Sequence, residues 1–267
     1  MIASAVLALA LAMQQPPGGD PASPNQPAQA QAPEQGDQEH KAKEPPTPEH
    51  TGIRALLANL GTDITKLPAL PNVYIAAVGG LGALAVHPAD QTFNEHLQSS
   101  GSAGEWWAPG KYVGDTPAQV ALSLGTYAVG RIFDQPKTAH LGMDLLQAQI
   151  LTELLVEPIK FATHRERPDG SNHQSFPSGH AAITFAGATV IERHLGWKYS
   201  VIGYGVASYV AASRLHDNRH YLSDVVFGAA VGTISGRTVV HHAADYWSFA
   251  PVRVPGGVML LVSRTKP

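Results

Sequence analysis

The chain has 267 residues, a formal net charge of −3 and only 15% charged residues. That length fits one domain with an appendage, and without a large basic field nucleic acid is not an expected partner. There is no cysteine, which excludes disulfides, zinc–thiolate sites and a cysteine nucleophile.

The chain opens on MIASAVLALALAM, an apolar, helix-prone run in which Ala10 to Ala12 offer a small-residue cleavage site. No Lys or Arg precedes it, so the terminal amine alone supplies positive charge. Residues 1–14 read as a signal peptide or a short apolar anchor, and the protein as exported to the periplasm or cell envelope. Residues 15–50 are rich in Pro, Gln and Ala and carry six acids and two lysines. With almost no large apolar side chain they cannot offset their ordering entropy, and they read as a disordered linker.

From Thr51 the pattern turns helical. Ile53, Leu56, Leu57 and Leu60 share one helix face, and Asn72 to Val86 is an apolar run of mostly small residues. In DTPAQVALSLGTYAVGRIF, Thr116 reads as N-cap, Pro117 as the first helical residue and Gln119 as the reciprocal partner of a capping box. A long helix follows from Thr138 towards Arg165, with Pro158 expected to kink or restart it. Three more helices read from His180 to about Leu195, from Lys198 to Ser213 and from His220 to about Val240. GGVMLLVS, near the C-terminus, is the one short strand signal. The expected fold is all-α, a helical bundle over residues 51–267.

A membrane-spanning helix needs about 20 apolar residues. The uncharged runs Tyr199 to Ser213 and Ala181 to Ile191 have 15 and 11 residues, and Leu67 to Val86 is broken by Pro68 and Pro71. On length these suit core helices, so a soluble or surface-bound bundle is expected rather than an integral membrane form.

Three polar islands interrupt the apolar helices: KFATHRERP (Lys160 to Pro168), FPSGH (Phe176 to His180) and SRLHDNRHYLSD (Ser213 to Asp224). Lys160 and Arg167 would share a helix face if the helix ran that far, a point charge beside a planar fork suited to a tetrahedral oxyanion. In PSGH, Ser178 starts a helix whose first amides form an anion site, Gly179 permits close approach, and His180 sits in the first turn. Arg214 adds a second fork. His220 and Asp224 are i, i+4, and a carboxylate on one imidazole nitrogen leaves the other free as a nucleophile.

Each island has an ordinary alternative: a solvated helix end, a plain helix start, a surface ion pair. It is their joint spacing that points to one anion-handling site. His216 and His220 are also i, i+4, but the His-Glu-x-x-His pattern is absent, so no metal is expected. His164, Arg165, His173, His216 and Asp217 read as a polar rim, and Arg219 has no assigned role.

These motifs resemble the type 2 phosphatidic acid phosphatase family, in the superfamily that also holds bacterial acid phosphatases and vanadium haloperoxidases. The family pattern is Lys, six residues, Arg-Pro; then Pro-Ser-Gly-His; then Ser-Arg, five residues, His, three residues, Asp. This chain has Lys160 with Arg167-Pro168, Pro177-Ser178-Gly179-His180, and Ser213-Arg214 with His220 and Asp224. It departs in the eight-residue gap from Pro168 to Pro177, shorter than is usual, and in Ala181, where many relatives carry Thr.

The resemblance implies a metal-independent phosphatase with no cofactor, acting on a lipid phosphate or a small soluble phosphoester. By it, His220 attacks phosphorus to form a phosphohistidine, Asp224 orients it, and His180 is the acid and then the base. Lys160, Arg167, Arg214 and the amides of Ser178 and Gly179 would hold the phosphoryl oxygens. A membrane surface is a further expected contact, and oligomeric state is left open. Vanadate-dependent haloperoxidase and a non-catalytic envelope protein are the alternative readings.

Overall fold

The computed structural model describes residues 52–98, 104–240, 246–254 and 257–265. The signal and linker expected over residues 1–50 lie outside them. The helical part runs α1 (Ile53–Lys66), α2 (Leu70–Val86), a 3-10 turn (His87–Ala89), α3 (Asp90–Gln98), α4 (Gly104–Val113), α5 (Thr116–Ile132), α6 (Pro136–Thr163), α7 (Gly179–Leu195), α8 (Trp197–His216) and α9 (Leu222–Val239). The all-α bundle expected from the sequence is the observed class.

A hairpin follows: β1 (Tyr246–Val254) pairs antiparallel with β2 (Gly257–Thr265), from Tyr246 opposite Thr265 to Val254 opposite Gly257. β2 contains the GGVMLLVS signal, whereas Pro251 hid β1 from a strand reading. The hairpin groups into a compact unit of its own, apart from the helical one.

α7 is the spine of the helical unit and packs against α6, α8 and α9. Its Ala181, Ala182, Ile183, Ala186, Ala188 and Val190 are buried. One core cluster joins Leu145, Ala148 and Leu151 of α6 to Ala186 and Val190 of α7 and Val239 of α9. The α7–α9 contact depends on small residues. Gly228, Gly232 and Gly236 recur every fourth position on α9 and meet the carbonyls of Ser178, Ala182 and Ala186. A Cβ at Gly232 would overlap the Ala182 carbonyl oxygen, so the two backbones approach closely enough to admit only hydrogen.

Several local expectations change. α6 is one helix that contains Pro158 and does not restart there. It ends at Thr163, with His164 left-handed at φ 44°. Arg167 therefore lies in the following loop, not on a helix face shared with Lys160. α5 has Asp115 as N-cap and no side-chain capping bond; Thr116 donates to Glu153 Oε1 at 2.9 Å instead. The Gln119 side chain donates to the Val113 carbonyl at 2.6 Å, so the capping box is absent.

Pro71 falls in the first turn of α2, where proline is tolerated, and so does not break that helix. Leu70–Leu97 forms a helical stretch long and apolar enough to cross a membrane, and little of its apolar window is buried. Val78, Leu81 and Leu84 of α2, Leu122 and Ile132 of α5, and Val201 and Ile202 of α8 are likewise exposed. Monomeric soluble proteins rarely show so many large apolar side chains to water. Runs that on length suited a core thus turn apolar faces outward.

Candidate active site

His220 precedes α9 and is buried. Its Nδ1 lies 2.7 Å from the Ser175 backbone carbonyl. A carbonyl only accepts, so Nδ1 carries the proton and Nε2 holds the lone pair. The partner expected from the sequence, Asp224, is farther away, with Oδ2 at 3.8 Å from Nδ1. Orientation of the imidazole therefore rests on a backbone oxygen, and Asp224 contributes through its charge. Burial pushes the His220 pKa below its ordinary value, with Asp224 opposing, so the ring stays neutral into acid pH.

Asp224 is itself fully buried and ties the site together. Its Oδ2 accepts from the Ser175 hydroxyl at 2.5 Å and the Tyr221 amide at 2.8 Å, closing the N-terminus of α9. Its Oδ1 accepts from Arg165 Nη1 at 2.6 Å. Arg165 also donates to Ser223 Oγ and to Asp90 Oδ2, each at 2.8 Å, and lies 4.2 Å over the Tyr221 ring. Asp90, from α3, accepts from the Ser223 amide and hydroxyl at 2.9 and 2.6 Å. One arginine thus neutralises two buried carboxylates, which would be costly to leave unpaired.

Arg167, His180, Arg214 and His220 line one cavity of about 210 Å³ with Lys111, Tyr112, Asp115 and Arg219. Arg167 Nε is buried with no hydrogen-bond partner among the described residues. Its pKa is pressed down by burial and by the nearby Arg219 charge. Arg214 is buried, with Nη2 on Asp217 Oδ2 at 2.5 Å. Arg219 pairs with Asp169 and Ser171 Oγ, both at 3.0 Å, which holds the short Pro168–Pro177 loop beside the cavity.

Lys160 lies next to the N-terminus of α7: a Cβ built on Gly179 would be 3.2 Å from its Nζ. The same Nζ donates to Glu157 Oε1 at 2.7 Å. Ser178 is the N-cap of α7. Its amide, expected to face an anion, donates to the Asp224 carbonyl at 3.0 Å instead. This leaves the Gly179 amide and the charged side chains as the expected donors. His180 has Arg214, His220 and Lys160 as charged or titratable neighbours and hydrogen-bonds the Lys111 backbone.

Sequence reasoning missed Ser175, Asp90 and the wall formed by Lys111, Tyr112 and Asp115, and it left Arg165 at the rim. Asp90 and the α4–α5 turn carry no local pattern, since they reach the site only through tertiary packing. His216 stacks on Trp107 at 6.1 Å, and His164 on His173 at 4.6 Å.

The sequence pattern of the PAP2 superfamily matches residues 141–247. The lipid A 1-phosphatase of Porphyromonas gingivalis is 47% identical over 85 residues, 31% of this chain and 19% of that protein. Lipid phosphate phosphatase 1 of Arabidopsis thaliana is 28% identical over 137 residues, 36% of this chain and 42% of that one. The chain thus aligns with less than half the length of each of these curated relatives. Among solved structures, the transmembrane PAP2-type phosphatidylglycerolphosphate phosphatase of Bacillus subtilis superposes with a TM-score of 0.50 at 20% identity. That match covers 70% of this chain and 92% of the other, a likeness of fold. The matched segment holds Lys160, Arg167, the Pro-Ser-Gly-His turn, Arg214, His220 and Asp224 at the expected spacing, and it is over residues 141–247 that the chain is similar to the PAP2 superfamily.

Proposed function

We propose that the protein is a membrane-associated phosphatase that removes a phosphoryl group from a phosphorylated lipid through a phosphohistidine. The observation that carries this reading is His220: its protonated Nδ1 is held on the Ser175 carbonyl, and the ring borders a cavity shared with Arg167, His180 and Arg214. In the first step Nε2 attacks phosphorus, the P–O bond to the leaving group breaks, and His180 gives that oxygen its proton. In the second step His180 takes a proton from water, the water oxygen attacks phosphorus, and the P–N bond breaks to release orthophosphate. Arg167, Arg214 and Lys160 stabilise the charge on the phosphoryl oxygens throughout. No step calls for a metal.

Two observations favour a lipid over a soluble ester. The apolar faces of α2, α5 and α8 are exposed. An apolar cleft of about 470 Å³ between α5 and α6 is lined by Val120, Ile150, Leu154 and Pro158, and by polar residues that include Glu153 and Glu157. Since Glu157 holds Lys160, the cleft adjoins a phosphate-binding side chain and gives an acyl chain a path. Membrane association takes precedence here over a soluble bundle.

The test is orthophosphate release from a dialkyl-glycerol phosphate in mixed micelles against a water-soluble aryl phosphate, with phosphoprotein trapped by an alkaline denaturing quench, which the P–N bond of a phosphohistidine survives. We expect higher kcat/KM on the lipid, and label on His220 that disappears in His220→Ala. Full activity in His220→Ala refutes the nucleophile, and equal kcat/KM on both substrates refutes the lipid reading.

A further inference from the structure

A second cluster of buried side chains lies at the other end of the bundle. His140 and Asp144 are i, i+4 in the first turns of α6, and His194 is in the last turn of α7. All three are buried. From His140 to Lys160 along α6 is roughly 30 Å at the helical rise per residue, so the phosphatase chemistry makes no use of this trio.

Both imidazole Nε2 atoms converge on the same oxygen. His194 Nε2 is 2.8 Å and His140 Nε2 3.4 Å from Asp144 Oδ2. The two rings meet edge to face at 4.9 Å. The three ligand atoms all lie within 4.8 Å of one another. A tetrahedral zinc ion with bonds of about 2.0–2.1 Å separates its ligand atoms by roughly 3.3 Å. The His140–Asp144 distance already meets that value, and the His194–Asp144 distance needs about half an ångström of opening, which side-chain rotation can supply.

The electrostatics point the same way. Asp63 of α1 lies close enough to Asp144 for their charges to interact, with Lys66 acting on Asp63 as well, and the buried Asp144 carboxylate is a charge that a cation would neutralise. Nitrogen and oxygen ligands without thiolate suit a divalent transition ion, and a set of two imidazoles and one carboxylate leaves a fourth position for water.

From this geometry we propose that His140, Asp144 and His194 bind one zinc ion that fastens the start of α6 to the end of α7. The ion is structural: it joins two core helices far from the phosphoryl chemistry. It binds neutral imidazoles and an ionised carboxylate, so any proton held by the trio leaves on binding.

The experiment uses the full chain in detergent. We expect wild type to hold one zinc per chain after dialysis against micromolar zinc, measured by elemental analysis. Stripping with a chelator should lower Tm by several degrees, and added zinc should restore it. Asp144→Asn, which keeps the side-chain shape, and His194→Ala should weaken zinc affinity at least about a hundredfold, while His216→Ala binds as wild type does. Cobalt loaded into wild type should give the absorption bands of a tetrahedral site, a readout that depends on no variant's folding. Wild type without stoichiometric zinc, cobalt without tetrahedral bands, or zinc binding unchanged in both Asp144→Asn and His194→Ala overturns the proposal. The chelator should leave the initial phosphatase rate unchanged at a temperature well below Tm, so loss of the zinc site and loss of the proposed chemistry are read separately.

Discussion

At the scale of single residues, the family spacing located the charged groups but not their partners. His220 and Asp224 were legible as a pair; that the imidazole proton would rest on the Ser175 carbonyl was not, because a backbone oxygen leaves no mark in sequence. The pH profile should reflect that environment. His220, the proposed nucleophile, must be neutral to attack, and burial holds its pKa below the ordinary imidazole value. The rate should therefore not fall as pH drops through about 6.5. Because His180, whose pKa burial and the Arg214 charge lower to about 3, must be protonated to act as the acid, the rate should rise towards acid pH until His220 itself protonates, and kcat/KM measured from pH 4 to 8 checks this. Arg165 gives a second test. Removing it in Arg165→Met leaves Asp90 and Asp224 without their shared cation, a loss of roughly 3–5 kcal/mol of stability, visible as a lower Tm. Arg165→Lys should recover part of it, as a point charge cannot bridge both carboxylates as a fork does.

At the scale of elements, α6 to α9 were predictable from apolar runs ended by polar islands, with bounds close to those observed. α3 and α4 were not, being short and without a sustained period, yet α3 delivers Asp90, and the last turn of α4 with the residues after it delivers one wall of the cavity. The glycine repeat of α9 also went unread, for its meaning depends on which helix it meets. Gly232→Ala should force α9 off α7 and destabilise the fold by roughly 1–3 kcal/mol, measured by thermal unfolding. Gly228→Ala should act more on kcat than on Tm. A Cβ there would lie 2.6 Å from the Ser178 carbonyl oxygen and would shift the turn that carries Gly179 and His180.

At the scale of the whole molecule, fold class was legible and the surroundings were not. Run length alone cannot say which way an apolar face points. Once the faces of α2, α5 and α8 are seen exposed, fractionation is expected to leave the protein with membranes after an alkaline carbonate wash, and extraction to require detergent. Recovery in the wash would return the protein to a surface-bound role. The cradle has a consequence for how turnover is paced. Arg167 brings a buried Nε with no partner of its own, and it shares the cavity with Arg214 and Arg219. In the proposed reaction such guanidinium groups hold the phosphoryl oxygens, which the departing orthophosphate carries as fully as the substrate does. Orthophosphate should therefore be a competitive inhibitor, raising KM with kcat unchanged, so that the phosphate level around the protein sets how fast it works.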